Sequence, residues 1–325
     1  MKKTLLLLSA LALVLTGCGS SKTSGNKEEV KYSRKPIVDT ETNTVKFGLY
    51  PQTHVSDESL LAELNALGSS SVDDVGWYKY NGDYYAWIYA VPQSLSYTFD
   101  NGDKIEDQAK YWFKCEPITW NILSKDNNIY YLVSSVLLDA RRFYSSEEQR
   151  MVNGIAVYAN NYEYSEIRSW LNDLDGSSYN GGNYVKRGFK TLAFGKMEDG
   201  HLQASSIDNS LSSTDGNQNR YTCNNTYDSV FLVSYQDFLD TNYGFSDLMD
   251  SETRCCKTTD YARAARAVVN TSDGYQNNGN YWTRSPYSID YSNAWGIDSY
   301  GSLKSYNNVT DRTVCLRPAI TLKIS

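Results

Sequence analysis

Histidine is almost missing from this chain: His54 and His201 are the only two in 325 residues. Neither sits in a motif with a partner. A Ser or Cys nucleophile activated by a neighbouring imidazole therefore has little to be built from. No CxxC spacing occurs, and two isolated histidines do not complete a zinc site with scattered cysteines. A Gly-rich loop followed by Lys and Ser or Thr, the cradle for phosphates, is absent. So is any repeat at a solenoid period. Basic charge is in deficit as well. With 31 Lys and Arg against 38 Asp and Glu the formal charge is −7, and losing Lys2 and Lys3 with a cleaved leader would make it −7 − 2 = −9. Nucleic-acid binding needs a basic stripe, so it is not expected. No metal, cofactor or catalytic constellation is expected either.

Apolar runs are short. The longest, at 5–15, falls below the length of a bilayer-spanning helix. It follows Lys2 and Lys3 and precedes Leu15-Thr16-Gly17-Cys18, and that order resembles the bacterial lipobox. The resemblance implies lipidation of Cys18, which becomes the mature N-terminus. The expected organisation is a lipoprotein signal peptide at 1–17, a flexible tether at 18–43 and a folded domain at 44–325. That domain divides into an N-terminal part (44–110) and a core (111–325). Membrane lipid would hold the acylated Cys18, and the domain would stand on the extracytoplasmic side of the cell membrane. Five further cysteines remain, Cys115, Cys223, Cys255, Cys256 and Cys315. An odd number in an exported chain leaves at least one thiol unpaired. Most are expected as buried small hydrophobes, with one disulfide left open.

Tyrosine is abundant, at 28 residues, and 41% of the chain is hydrophobic, enough for a sizeable core. A strand is expected at 45–50, turning at Pro51. A helix is expected at 56–68, capped by Ser56 or Asp57, with Leu60, Leu61, Leu64 and Leu67 as its apolar face. Hairpins are expected at 77–90, around Asn81-Gly82-Asp83, and at 110–135. In the second, Trp112, Ile118, Trp120 and Ile122 share one heavy face. Short helices follow at 165–171 and 189–194. Next come a polar loop at 202–225 and a buried strand at 229–234. Helices capped by Ser234, running to 243, and at 258–269 complete the middle of the chain. Irregular alternation of this kind predicts an α+β fold.

The C-terminal stretch 281–322 carries the sharpest signal. Strands are expected at 281–285 and 314–324, with short hairpin-like pieces at 294–297 and 301–303. Between Tyr287 and Asn308, fourteen of twenty-two residues are Tyr, Ser, Asn or Asp. Tyrosine supplies contact area with few torsions to freeze, and Ser and Asn supply adaptable hydrogen bonds, so a stiff frame bearing them suits recognition. The same residues also build ordinary polar turns. Arg284 and Arg317 lie inside apolar strands, where a guanidinium has to be hydrogen-bonded; their expected role is structural.

Several segments taken in order carry a wider resemblance: VKFGLYPQT at 45–53, YWFKCEPITWNIL at 111–123, NNYEYSEIRSWLN at 160–172, YDSVFLVSYQDF at 227–238, TTDYARA at 258–264, and YWTRSP with CLRPAI near the end. They resemble a family of bacterial, often surface-anchored proteins known only as a domain of unknown function. That family is similar to the C-type lectin fold in the broad sense shared with formylglycine-generating enzymes and with the variable proteins of diversity-generating retroelements. The resemblance implies short twisted antiparallel sheets with flanking helices. It also implies a C-terminal ligand face, diversified in the retroelement proteins, here Tyr287, Tyr291, Asn293, Trp295, Asp298, Tyr300, Tyr306 and Asn307. Trp120, Trp170 and Trp282 would be frame residues. Calcium-dependent sugar binding is not implied, because Glu116-Pro117-Ile118 lacks the amide and Trp120-Asn121-Ile122 the carboxylate of that motif. Nor do Cys255, Cys256 and Cys315 match the cysteine spacing of the formylglycine-generating enzymes. The expectation is a surface-tethered protein that binds an extracellular protein or glycan. An enzyme on the same fold and a structural envelope lipoprotein are the alternatives.

Overall fold

A single long strand rich in aromatics organises the larger of the two main sheets, beside which stand two two-stranded ribbons. The computed structural model describes residues 32–174, 187–216, 218–303 and 305–324. The expectations for the leader, for Cys18 and for most of the tether lie outside these residues, as does most of the polar stretch after Asn172. The N-terminal elements are β1 (Ile37–Asp39), β2 (Thr44–His54), α1 (Glu58–Asn65), β3 (Tyr78–Tyr80), β4 (Asp83–Tyr89), β5 (Lys110–Asp126), β6 (Ile129–Ser134) and β7 (Asp139–Ala140). Then come β8 (Arg150–Val152), β9 (Ile155–Val157), α2 (Glu166–Leu171), α3 (Phe189–Phe194), β10 (Leu202–Gln203), β11 (Ser205–Ile207), β12 (Thr226–Asp228), β13 (Val230–Leu232) and α4 (Asp260–Ala264). The C-terminal strands are β14 (Tyr281–Pro286), β15 (Asn293–Ile297), β16 (Ser305–Asn308), β17 (Cys315–Leu316) and β18 (Pro318–Lys323). The fold is α+β, with several antiparallel sheets and a few short helices.

In the larger sheet the strands run β1-β2-β5-β6-β18-β10, with β4 also on β5, β3 on β4, and β13 on β18. The smaller sheet runs β16-β15-β14-β17-β7, and its β14–β17 pair is the parallel one. Between them lies one large core containing Phe47, Tyr50, Phe113, Trp120, Phe143, Tyr162, Tyr281 and Trp282. Trp120 is fully buried and its indole N–H donates to the Phe47 carbonyl at 2.7 Å, so its one polar atom is satisfied. Trp170 and Trp282 are buried too, and the Trp282 indole donates to the Arg141 carbonyl at 2.7 Å.

Local chemistry explains the elements that match expectation. Asp57 caps α1 by accepting from Leu60 N, and Ser165 caps α2 by accepting from Arg168 N. Asn81 and Gly82 both have positive φ (49° and 77°), the geometry of a two-residue hairpin turn between β3 and β4. Gly48 has φ +84° within β2, at a register shift between Lys46 and Leu49, where Phe194 crosses the strand.

Other expectations are corrected. Pro51 does not end its strand: β2 continues to His54, and a register shift between Pro51 and Thr53 absorbs a residue that cannot donate. Trp112 does not share a face with Ile118 and Trp120. It packs with Val55, Leu64 and Tyr85 in a separate small cluster under α1. The stretch 202–225 is not one loop, since β10 and β11 lie in it. Ser234 does cap a turn, its Oγ accepting from Asp237 N, but only 3-10 turns follow (Asp237–Leu239 and Thr241–Tyr243) because Asp240 starts a new cap by accepting from Asn242 N. The helix expected to Val269 stops at Ala264, and Arg266 has φ +123°, outside helical space. The last strand is two: β17 belongs to the small sheet and β18 to the large one, with the chain crossing between them at Arg317. The piece at 301–303 forms no hairpin with β15: Ser302 makes an isolated antiparallel bridge to Asp250, and the strand paired with β15 is β16.

Candidate ligand-binding surface

The β14–β15–β16 hairpins bring part of the expected face together. Trp295 and Tyr306 are direct cross-strand partners. The Tyr287 ring lies 4.2 Å from that of Tyr306 at 11°, and 4.9 Å from Trp295 edge-on. The Tyr235 ring packs against Trp295 with centroids 5.0 Å apart. Such contacts fix the rings relative to one another. Tyr306 is half exposed, and among the described residues neither its hydroxyl nor that of Tyr287 has a hydrogen-bond partner. Burial and the neighbouring Tyr306 push the Tyr287 phenol above its ordinary value.

The remaining five residues go elsewhere. Tyr291, beyond the start of β15, packs with Tyr158 and Tyr221. Asn293 spends its amide on Asp290 and Ser292, and Asp298 accepts from the backbone N–H groups of Tyr300 and Ser302, so both serve turns. Asn307 lies opposite Ala294, on the alternate face to Trp295 and Tyr306, with its Nδ2 buried against Gly296. Tyr300 meets Tyr275 at 4.8 Å, beside a hollow of about 460 Å³ that Asp250, Glu252, Asp298 and Ser302 also line. Strand rise is ~3.3 Å per residue, so Tyr291 and Tyr300 sit at opposite ends of β15. The eight residues thus form an aromatic platform of three and two outlying groups.

Both expected structural arginines are buried and spent on the frame. Arg284 donates to the carbonyls of Asp208 and Leu232 and to Asp237 Oδ2 at 3.1 Å. Arg317 donates to the Ser134 carbonyl at 3.0 Å and to the Tyr281 hydroxyl at 3.1 Å. Arg254 was not legible as a frame residue from its sequence surroundings. It is fully buried and donates to five carbonyls, those of Phe238, Ser246, Leu248, Met249 and Gly301. Burial lowers its pKa from the usual value.

The five described cysteines are free thiols, and Cys115, Cys256 and Cys315 are buried. Burial pushes all three up, Cys115 and Cys315 far above the ordinary thiol range; Cys255 rises for the same reason, and Cys223 is pushed up to about 11. Thiolate chemistry near neutral pH is therefore disfavoured. Among the described residues no group of three or more His, Cys, Asp or Glu could hold a metal ion, and no helix is long and apolar enough to cross a membrane.

A second feature was not anticipated. A cavity of about 440 Å³ opens where β4, β7, the end of α4 and the loop before β17 meet, and Arg141, Arg142, Arg266 and Arg312 line it. Only the adjacent pair Arg141-Arg142 was visible as a cluster in the sequence.

Residues 118–324 match the family described as a domain of unknown function (DUF6273). No curated protein and no solved structure matches the chain.

Proposed function

The chain belongs to the family described as a domain of unknown function (DUF6273), and we propose that it is a lipid-anchored, extracytoplasmic ligand-binding protein on a C-type-lectin-like frame. The aromatic platform of Tyr287, Trp295 and Tyr306 carries this reading. It is the part of the expected face whose side chains are grouped, with Tyr306 half exposed and Tyr287 and Trp295 partly buried. Tyr306 stacked face to face on Tyr287 beside a tryptophan offers an outer ring face and ring edges with hydroxyls at the rim, a combination suited to a sugar ring or to an extended segment of an extracellular protein. Tyr291, Asn293, Asp298, Tyr300 and Asn307 are not assigned to that contact. Support for the anchor comes from the lipobox-like sequence ending at Cys18, with the polar stretch after it as tether.

No observation favours the enzyme alternative. The thiols are raised by burial, and His54 has its ring stacked on Phe99 at 4.0 Å with no nucleophile among the described residues bonded to it.

The test is binding of the purified domain to a glycan array and to intact cells, comparing wild type with Tyr306→Ala and Tyr287→Ala. Both variants should keep the wild-type circular dichroism and lose at least tenfold in affinity for whichever probe the wild type retains. Unchanged binding by both would remove the platform from the function. Metabolic palmitate labelling tests the anchor: it should mark the wild type and not Cys18→Ser.

A further inference from the structure

The cavity lined by four arginines is independent of the platform. We propose that it binds a small molecule bearing a multivalent oxyanion, such as a phosphate ester or a dicarboxylate, attached to an apolar group.

The charge balance carries the argument first. Two carboxylates oppose the four guanidinium groups, Asp139 on the cavity wall and Glu166 behind Arg142. With Asp311 beside Arg312 counted as well, four against three leaves +1 (4 − 3) in a chain whose overall charge is −7. All three carboxylates are already occupied. Asp139 is buried and accepts from the Tyr50 hydroxyl at 2.7 Å and from Ala140 N, with Arg141 Nε at 3.4 Å. Glu166 accepts from Arg142 Nε at 2.8 Å. The Arg141 guanidinium also lies over the Trp170 ring, its Cζ 4.0 Å from the centroid. Arg266 and Arg312 differ from this pair. Among the described residues neither has a hydrogen-bond or ion-pair partner, and the carboxylate beside Arg312, that of Asp311, is turned onto Thr313 N and Oγ1.

Backbone geometry adds a separate observation. Arg266 is half-buried and has φ +123°, a region that residues with a Cβ rarely adopt. Glycine would fit there without strain. Strain of this kind concentrates at ligand sites, where the surrounding structure over-determines it. Here it delivers an unpaired guanidinium to the cavity wall. Guanidinium is the group suited to planar bidentate contact with carboxylate or phosphate oxygens. The rest of the wall includes Ile88, Val91, Tyr261 and Ala265, which would cover an apolar body. A volume of about 440 Å³ accommodates a ligand of one ring and its anionic groups.

Isothermal titration with phenyl phosphate, phthalate and benzoate at constant ionic strength tests this. Phenyl phosphate or phthalate should bind, with benzoate, the single-charge control, at least tenfold weaker. The preferred dianion tells ester from dicarboxylate. Arg312→Ala, at an exposed position, should weaken the dianion at least tenfold. Arg266→Gly should abolish binding while raising Tm, because it removes the charge and the strain together. Tyr306→Ala should leave dianion binding intact, which separates this site from the platform. Absence of dianion binding, equal affinity for benzoate, or wild-type affinity in both arginine variants would overturn the proposal.

Discussion

Arg317 donates to the hydroxyl of Tyr281, and that hydroxyl donates in turn to the carbonyl of Arg254 at 2.6 Å. One phenol therefore joins the crossing between the two main sheets, the central strand of the five-stranded sheet, and a fully buried arginine. All three residues are essentially inaccessible to water.

Removing that single oxygen is the cleanest probe of the junction. Tyr281→Phe conserves the ring and leaves Arg317 Nη1 and the Arg254 carbonyl with only the long 3.5 Å bond between them. Unpaired buried polar groups cost about 1–3 kcal/mol. Urea unfolding should show a loss in that range with an unchanged m-value.

Arg254 itself should tolerate no conservative exchange. Its fork reaches carbonyls on five residues, whereas lysine offers three donors from one atom. Arg254→Lys strands at least two carbonyls, so the expected destabilisation is ~3 kcal/mol or more. Thermal unfolding of the folded fraction checks it, and a wild-type Tm would refute it.

Gly48 is fixed by two independent constraints. Its φ is +84°, and an added Cβ would lie 2.7 Å from the Phe194 ring. Gly48→Ala should cost about 2–4 kcal/mol from backbone strain and overpacking combined. At Gly102, also positive in φ but with open space around it, the same change meets no clash. Denaturation midpoints of the two variants should differ accordingly.

His54 gives the fold a mild acid sensitivity. Burial lowers its pKa from the usual 6.5, against smaller opposing effects of Asp260 and Asp103. The folded state thus prefers the neutral ring. Stability from this group is complete above about pH 6.5, begins to fall as the unfolded chain takes up its proton, and is lost once pH passes below the lowered folded value. Tm measured from pH 7.5 downward should decline over this range, before carboxylates titrate, and His54→Gln should flatten that part of the profile.

Much of the frame was legible locally. The caps at Asp57 and Ser165, the Asn81-Gly82 turn and the hairpin of β5 and β6 each depend on residues within a few positions of one another. Periodicity also marked Arg284 and Arg317 as buried and in need of partners. It failed at the C-terminal end of α4, where Arg266 leaves helical space against the apolar pattern, and at Arg317, where one apolar run serves two sheets. Trp112 misled for a related reason. Parity along β5 shifts between Cys115 and Ile118, so even spacing did not mean a shared face.

Sequence by itself determined the α+β class, the elements set by caps and turns, and the residue types of the C-terminal stretch, because these rest on short-range sterics and on the alternation of apolar side chains. Tertiary structure alone decided which of those side chains meet. Strand pairing put Trp295 beside Tyr306 and turned Asn307 to the other face, and the packing of β7, α4 and the loop before β17 gathered arginines from positions 141 to 312 around one cavity. Contacts between residues so far apart follow from how the sheets close on the core, and no local pattern encodes that closure.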